Sequence, residues 1–311
     1  MSVSTSQERD FEKKNVLKKR DSYLKRNPVA RLSTDKIFAS KTQFFIDALT
    51  EPTGSIPEGW VLDLGGNTGG EALVFQDKGV HIAVCDINEI ALIVAQERAR
   101  KFELPVPPVI TADVHHLPLE TDSFEAVTIV EALHHFEDYH VSLKEILRIL
   151  TPGGQLVALE PNGWNPFRRI SEIRDRFRGT IEKSFTTRQL TQLLTAAGFV
   201  NIKISHATSG RPKDKMHEVP FWRRPAAILH AWLQQNYPRF FGAYLIQAHK
   251  KGEITKEAKK PFNSLLRSPG GHSTLTLMND HYCDSEYCYP VIKTVPVLLK
   301  EDRVPARSIQ L

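Results

Sequence analysis

The sequence predicts an α/β fold in which a doubly wound parallel sheet carries helices on both faces. Five short apolar segments recur along the first half of the chain, at 60–64, 81–85, 108–111, 124–130 and 155–160. Between them, apolar residues follow helical spacing at 69–78, 88–102 and 139–150. Strands buried on both faces have near-continuous apolar runs, and their alternation with helices is typical of this fold class.

The segments outside this alternation divide the chain into three parts. Residues 1–50 form an N-terminal helical, basic segment, in which residues 1–10 are polar and expected to be disordered. A helix over 11–25 precedes a second helix, which Ser33 or Thr34 can cap. The central domain spans 51–250 and contains an insertion at 206–241, and the extension 251–311 is expected to be irregular.

Within the central domain, the alternation continues after the fifth apolar segment. Thr186 or Thr187 begins a helix that Gly198 closes, and strands follow at 199–205 and 243–248.

Composition and cysteine content limit the class of protein. Of the 311 residues, 41% are hydrophobic and 25% charged, as in ordinary globular proteins. No apolar run approaches the roughly 20 residues that cross a bilayer, and the polar N-terminus does not resemble a secretory signal. Cys85, Cys283 and Cys288 provide no disulfide framework, so we expect free thiols in the cytoplasm. The loose spacing of Cys283, Cys288 and His281 does not predict a metal site.

The positive charge is concentrated near the N-terminus. Between Arg9 and Arg31, nine Lys and Arg residues accompany three acidic residues, and the net charge of the chain is +5. We expect a solvated helix surface. Peripheral contact with an anionic membrane or a protein remains an alternative, while a nucleic-acid partner is not expected.

A small-residue loop joins the first strand to the first helix of the alternation. Asp63 lies near the end of the strand, and Gly65, Gly66 and Gly69 follow it. Neither the Gly-x-Gly-x-x-Gly dinucleotide pattern nor a Gly-Lys-Ser/Thr phosphate loop fits this segment. A carboxylate here repels a pyrophosphate but suits a ligand with an ammonium group, such as S-adenosylmethionine.

Further acidic residues follow the next strands. Asp86, followed by Ile87, lies 23 positions after Asp63, where a carboxylate can accept hydrogen bonds from two ribose hydroxyls. Asp113 and Val114 follow the third strand and can bind and enclose an adenine. Glu131 follows the fourth and can line the methionine end of the same pocket.

These motifs resemble the class I S-adenosylmethionine-dependent methyltransferase family, in its small-molecule, type 11-like branch. The resemblance covers about residues 58–162 through five segments in the family order: 61–70, 84–88, 112–119, 123–136 and 147–161. Residues 185–203 are similar to the helix-Ala-Gly-Phe-strand ending of the family. The resemblance implies a Rossmann-like seven-stranded sheet of order 3-2-1-4-5-7-6 with strand 7 antiparallel. It also implies S-adenosylmethionine as cofactor and S-adenosylhomocysteine as product.

The loop departs from the family pattern at one position. Asn67 replaces the middle glycine of the loop. Asparagine adopts the left-handed conformation more readily than other non-glycine residues, so we expect cofactor binding to persist.

The sequence signals for catalytic and acceptor residues are less specific than those for the cofactor residues. His134, His135 and Glu160 are candidates for proton transfer or acceptor orientation, although a structural histidine pair and a loop-capping glutamate are alternatives. Asn162 and Trp164 follow the fifth strand, beside the expected methyl position.

Trp222 and Arg223 belong to the aromatic and basic insertion 206–241, which can cover the acceptor or simply pack on the domain. A small-molecule, saccharide or lipid-linked acceptor at a membrane face fits this composition. An RNA or protein methyltransferase and a non-catalytic cofactor-binding module are the alternatives.

Overall fold

Seven strands form the central sheet, in the order β3-β2-β1-β4-β5-β7-β6. A computed structural model describes residues 5–177, 184–207, 220–254 and 259–309 of the chain. The strands are β1 (Trp60–Leu64), β2 (Ile82–Asp86), β3 (Val109–Thr111), β4 (Phe124–Val130), β5 (Leu150–Pro161), β6 (Val200–Ala207) and β7 (Ala243–His249). Strand β7 is antiparallel to β5 and β6, whereas β1 to β5 are parallel. The predicted fold class and strand order are confirmed.

Helices cover both faces of this sheet. They are α1 (Thr5–Lys25), α2 (Arg31–Thr34), α3 (Lys36–Thr50), α4 (Gly70–Asp77), α5 (Glu89–Lys101), α6 (Tyr139–Ile149), α7 (Pro166–Phe177), α8 (Thr187–Ala197), α9 (Arg224–Asn236) and α10 (Pro238–Phe241). Adjacent strand residues point to opposite faces, so Leu62 belongs to one apolar core and Val61 to the other. The continuous apolar strands therefore bury side chains on both sides.

The N-terminal helix packs on α5 rather than extending freely into solvent. Val16 is buried against Ala91 and Val94. The guanidinium of Arg9 is paired with Glu89 and with Asp302. These contacts order the chain from Thr5, so the expected disorder is wrong for residues 5–10, while residues 1–4 lie outside the described part.

The cap of α3 also differs from the expectation. Asp35, and not Ser33 or Thr34, caps α3, because its side chain accepts a hydrogen bond from the Phe38 backbone N–H. Ser33 and Thr34 instead belong to the short helix α2.

A second sheet forms in the C-terminal extension, which corrects the expectation of an irregular tail. Its strands are β8 (Thr276–Met278), β9 (His281–Cys283), β10 (Tyr287–Ile292), β11 (Val295–Pro296) and β12 (Val304–Pro305). Cys283 and Cys288 lie opposite each other on β9 and β10 and form a disulfide, so the expectation of unpaired thiols is wrong for this pair, whereas Cys85 is a free, buried thiol. These strands are too short to give a clear apolar alternation, and pairing between them creates the order.

The extension also covers an edge of the central sheet. Val297 forms a parallel bridge with Thr111 of β3, and the Leu298 N–H donates to the Thr111 carbonyl at 2.8 Å. Leu266 bridges Leu119 in the same region. Strand β3 is thereby protected from pairing with another chain.

In the described part of the chain, no helix has the length and apolar character to span a bilayer.

Candidate cofactor site

A cavity of about 900 Å³ lies at the carboxyl ends of β1, β2 and β4. This volume is within the range of small-molecule sites. The cavity brings together most of the predicted cofactor residues: Asp63, Gly65, Gly66, Asn67, Asp86, Ile87, Asp113, Val114 and Glu131. Gly69 does not line it but forms the N-cap of α4. The parallel arrangement explains the grouping, since the carboxyl ends of these strands meet at one edge of the sheet.

The loop after β1 requires small residues and left-handed backbone. Gly65 has a φ of +74°, and a Cβ atom there would lie 2.5 Å from the Ala132 Cβ. Asn67 has a φ of +47°, the conformation that the sequence predicts for it. The loop therefore keeps the shape of a glycine turn despite the asparagine.

Asp86 fixes this loop from the end of β2. Its Oδ2 atom accepts a hydrogen bond from the Asn67 N–H at 2.8 Å, and its Oδ1 accepts from the Asn88 N–H at 2.9 Å. Burial raises the pKa of Asp86 to about 6, although these backbone hydrogen bonds oppose the shift. The carboxylate therefore both orders the loop and borders the cavity.

Asp63 is a buried acid next to other acids. Thr128 Oγ1 donates to its Oδ1 at 2.9 Å, and the residue is 2% exposed. Burial, followed by the charge of Glu71, raises the pKa of Asp63 to about 7. A cationic group in the cavity would favour the charged form of this carboxyl.

Glu131 and Glu71 are balanced by cations of the N-terminal segment. Lys41 Nζ lies 2.9 Å from Glu131 Oε1. Burial raises the pKa of Glu71, while Lys41 and Arg31 oppose that rise. The end of the cavity near these acids is thus strongly polar.

His115, which the sequence analysis did not single out, orients Asp113. Its ring Nδ1 lies 2.6 Å from Asp113 Oδ1, and its Nε2 accepts a hydrogen bond from the Asp138 N–H at 3.1 Å. Because Nε2 is the acceptor, Nδ1 carries the proton and donates to Asp113. Burial opposes charge on Asp113, but the hydrogen bonds from His115 outweigh it and lower the pKa of Asp113. The Asp-x-His spacing directly after a strand is the sequence signal that could have indicated His115.

Glu160 and His134 form a buried pair beneath the cavity wall. His134 Nδ1 lies 2.8 Å from Glu160 Oε2. Glu160 is fully buried, and its Oε1 accepts hydrogen bonds from the N–H groups of Ala132 and Leu133. Neither side chain lines the cavity. Their contacts fix the turn after β4.

His135 is the member of the histidine pair that reaches the cavity. Its ring centroid lies 4.1 Å from that of His134. Burial, then the charges of His134 and Arg168, lower the pKa of His135 to about 4. The imidazole is therefore neutral near pH 7, able to exchange hydrogen bonds but a weak base.

The predicted acceptor residues lie outside this cavity. Asn162 is buried, and it caps its own loop by donating to the Arg239 carbonyl and accepting from the Trp164 N–H. Trp164 and Trp222 are exposed and do not line the cavity. The side chain of Arg223 and residues 208–219 of the insertion lie outside the described part.

The cavity wall that the sequence analysis missed comes from the N-terminal segment. It includes Tyr23, Arg26, Arg31 and Phe38. Arg98 of α5 joins this wall to the glycine loop, because its guanidinium donates to the Thr68 carbonyl at 2.6 Å and to the Arg26 carbonyl at 3.2 Å. The cations and aromatic residues at 23–38 are the sequence signal that could have indicated this wall. A solvated helix surface explains the same residues equally well.

The comparisons with known proteins agree with this architecture. A family profile described as a methyltransferase domain matches residues 62–158, which run from within β1 to within β5. This match supports the resemblance of residues 62–158 to the class I S-adenosylmethionine-dependent methyltransferase family. S-adenosylmethionine is the cofactor of this family. The N-terminal wall and the C-terminal extension lie outside the matched residues.

Curated relatives match part of the length of this chain. A ubiquinone/menaquinone biosynthesis C-methyltransferase of Bartonella quintana is 38% identical over 104 residues, 32% of this chain and 40% of that protein. A demethylmenaquinone methyltransferase of Streptomyces griseus is 29% identical over 141 residues, 45% of this chain and 59% of that protein. The chain thus spans about half the length of these relatives.

A solved structure shares the fold. The geranyl diphosphate C-methyltransferase of Streptomyces coelicolor, in complex with Mg²⁺, a geranyl-S-thiolodiphosphate and S-adenosylhomocysteine, superposes with a TM-score of 0.52. The match is 19% identical and covers 69% of this chain and 77% of that one.

Proposed function

We propose that this chain transfers a methyl group from S-adenosylmethionine to a small-molecule acceptor. One observation carries the proposal. Asp63, Asp86 and Asp113 lie at the ends of consecutive strands and line one cavity of about 900 Å³. Such a row of carboxylates suits a ligand that combines an ammonium group, a ribose and an adenine.

The residues present fit each part of this cofactor. Asp86 lies where its carboxylate can accept hydrogen bonds from ribose hydroxyls. In this proposal, Asp113, which His115 orients, accepts a hydrogen bond from the adenine amino group, and Val114 packs against the base. Asp63 and Glu131 provide negative charge for the ammonium group. When bound, S-adenosylmethionine supplies an electrophilic methyl group, so the protein mainly positions the acceptor and excludes water.

The acceptor side is formed in this proposal by the N-terminal wall. Tyr23 and Phe38 offer aromatic surface, while Arg26 and Arg31 offer positive charge. The Arg31 guanidinium lies 4.0 Å from the Phe38 ring centroid and also pairs with Asp35. An aromatic acceptor with an acidic hydroxyl matches this wall, and quinone-type substrates are consistent with the names of the curated relatives. His135 borders the cavity and can hold such a hydroxyl by a hydrogen bond.

The test combines cofactor binding with methyl transfer. Calorimetry on the full chain should show S-adenosylhomocysteine binding that Asp86→Ala abolishes, whereas Asp280→Ala, an exposed aspartate of the extension, should bind normally. Incubation with methyl-labelled S-adenosylmethionine and reduced naphthoquinones should label the quinol. Absence of S-adenosylhomocysteine binding would refute the cofactor assignment. Binding without transfer to small molecules of a cell extract would favour a cofactor-binding module, and label in RNA or protein would favour the macromolecular alternative.

A further inference from the structure

A surface away from the cavity lining exposes large apolar side chains on α7, α9 and the turn before α9. Six of them define what we call the aromatic surface: Ile170, Phe221, Trp222, Ile228, Leu229 and Trp232. Each is at least half exposed, and Phe221 reaches 78%. Soluble proteins rarely expose so many large apolar residues together, so the surface indicates an apolar partner.

Helix α9 exposes its apolar face, unlike an ordinary surface helix. Its buried side chain is the polar Gln234, which is 3% exposed. Ile228, Leu229 and Trp232 share the outward face, since residues three and four positions apart are neighbours on a helix. A helix that packs only against its own domain would bury these apolar residues and expose the glutamine.

Ring contacts join the neighbouring helices to this face. The Phe167 ring of α7 lies 4.8 Å from the His230 ring of α9 and 6.1 Å from the Phe241 ring of α10. The exposed Ile170 of α7 therefore lies on a helix that packs beside α9. The aromatic surface extends over more than one helix.

The charge of the turn before α9, of α9 and of α10 is uniformly positive. Residues 220–241 contain three arginines, Arg223, Arg224 and Arg239, and no aspartate or glutamate. Tryptophan, leucine and isoleucine beside arginine are typical of helices that lie in the interface of an anionic membrane. We propose that the aromatic surface docks the protein on an anionic lipid bilayer.

The position of the surface supports this docking. Strand β5 ends at Pro161 just before α7, and β7 begins at Ala243 just after α10. Since β7 is antiparallel to β5, both points lie at the carboxyl edge of the sheet, the edge that also forms the cavity. A docked bilayer would face this edge. Delivery of a lipid-borne acceptor to the cavity rests on the proposed function, whereas the docking does not.

Sedimentation with vesicles tests the docking directly. The full chain should pellet with vesicles of equal phosphatidylcholine and phosphatidylglycerol, and less with phosphatidylcholine alone. Leu229→Glu should weaken partitioning at least about tenfold, because it removes the burial of a leucine side chain. Arg239→Gln should weaken it roughly fivefold on the anionic vesicles only.

A leucine elsewhere gives a matched control. Leu17 of α1 is 55% exposed and Leu229 is 51% exposed, so Leu17→Glu makes the same change on another helix. Leu17→Glu should pellet like the native chain. Absence of vesicle binding by the native chain, or equal losses in both variants, would overturn the proposal.

Two further measurements distinguish docking on lipid from loss of the cofactor and from self-association. S-adenosylhomocysteine affinity without vesicles should be the same in Leu229→Glu as in the native chain, which distinguishes a failed docking proposal from a failed cofactor assignment. Sedimentation velocity without lipid should show a monomer. A dimer that Leu229→Glu dissociates would assign the surface to a second copy of the chain and refute the bilayer.

Discussion

The carboxylate of Asp86 accepts a hydrogen bond from the backbone N–H of Asn67, with 2.8 Å between Oδ2 and the nitrogen. This bond ties the end of β2 to the loop after β1 at the residue that replaces the family glycine. Asn67 is held there at a φ of +47°. Because this bond uses the backbone of Asn67, a residue that adopts positive φ at least as readily should keep the shape of the loop.

Asn67→Gly should keep or strengthen S-adenosylhomocysteine binding, because glycine adopts positive φ without steric cost. Asn67→Val, as the control, should lower both affinity and stability, the latter by about 1–2 kcal/mol, since a branched side chain strains this conformation. Calorimetry and thermal unfolding measure the two effects. A large loss of affinity in the glycine variant would mean that the asparagine side chain contacts the cofactor.

Cofactor binding should release protons near neutral pH. The pKa of Asp63 is raised to about 7 in the free protein, and a bound ammonium group favours the carboxylate. Affinity should therefore decrease as the pH falls below about 7. Calorimetry in buffers of different ionisation enthalpy counts the protons. Asp63→Asn should abolish the release between about pH 6.5 and 7.5; an unchanged release would assign it to another group.

The same shift affects the stability of the free protein. The folded state binds a proton on Asp63 more tightly than the unfolded state does, so this contribution to stability is present at low pH and is lost as the pH rises through about 7. Above that pH, Asp63→Asn should unfold at a higher temperature than the native chain. Equal unfolding temperatures at pH 8 would contradict the raised pKa.

We expect Glu160 to have a structural role and His135 a functional one. Glu160→Ala leaves two backbone N–H groups and His134 without a buried acceptor, so we expect a loss of about 3 kcal/mol in unfolding free energy. His135→Ala should lower methyl transfer more than stability. Thermal unfolding and turnover on the same variants decide. A Glu160→Gln protein that is fully stable but inactive would make Glu160 part of the chemistry.

The N-terminal wall should control acceptor use more than the insertion does. Tyr23→Ala removes a side chain that lines the cavity and should lower kcat/KM for a water-soluble acceptor by roughly 5- to 150-fold. Cofactor affinity should change little, and Tyr23→Phe is the conservative control. Trp222→Ala should have a smaller effect with the same acceptor. The reverse order would favour the insertion 206–241 as the acceptor lid.

Reduction of the Cys283–Cys288 disulfide should destabilise the C-terminal sheet. Opening a disulfide that closes so short a loop lowers the free energy of unfolding by about 2 kcal/mol, because the unfolded chain gains conformational entropy. Cys283→Ser should lower the unfolding temperature of the extension, and a reductant should do the same to the native chain but not to the variant. An effect of the reductant on Cys283→Ser would point to another cause.

The central domain was predictable because its signals are local. Each buried parallel strand has a continuous apolar run, and the glycine loop must follow β1 directly in sequence. Asp63, Asp86 and Asp113 could be predicted to meet because the carboxyl ends of parallel strands lie at one edge. The positive φ of Asn67 agrees with the sequence argument, because Asn67 replaces a glycine of the family loop and asparagine tolerates this conformation.

The features that the sequence left open depend on contacts between distant segments. Arg98 contacts both Thr68 and Arg26, and Arg26 lies 72 positions before Arg98 in the sequence. Arg9 contacts Glu89 and Asp302, which are still farther from it in the sequence. No local pattern distinguishes such a buried cation from one on a solvated helix.

The histidine pair shows the same limit at short range. His134 and His135 are adjacent in sequence, yet one is buried on Glu160 and the other lines the cavity. The sequence by itself determined the sheet and the cofactor edge, because burial on both faces constrains every residue of those strands. Only the tertiary structure decided which cations, histidines and cysteines are paired, because pairing depends on the distance between atoms that the chain brings together after folding.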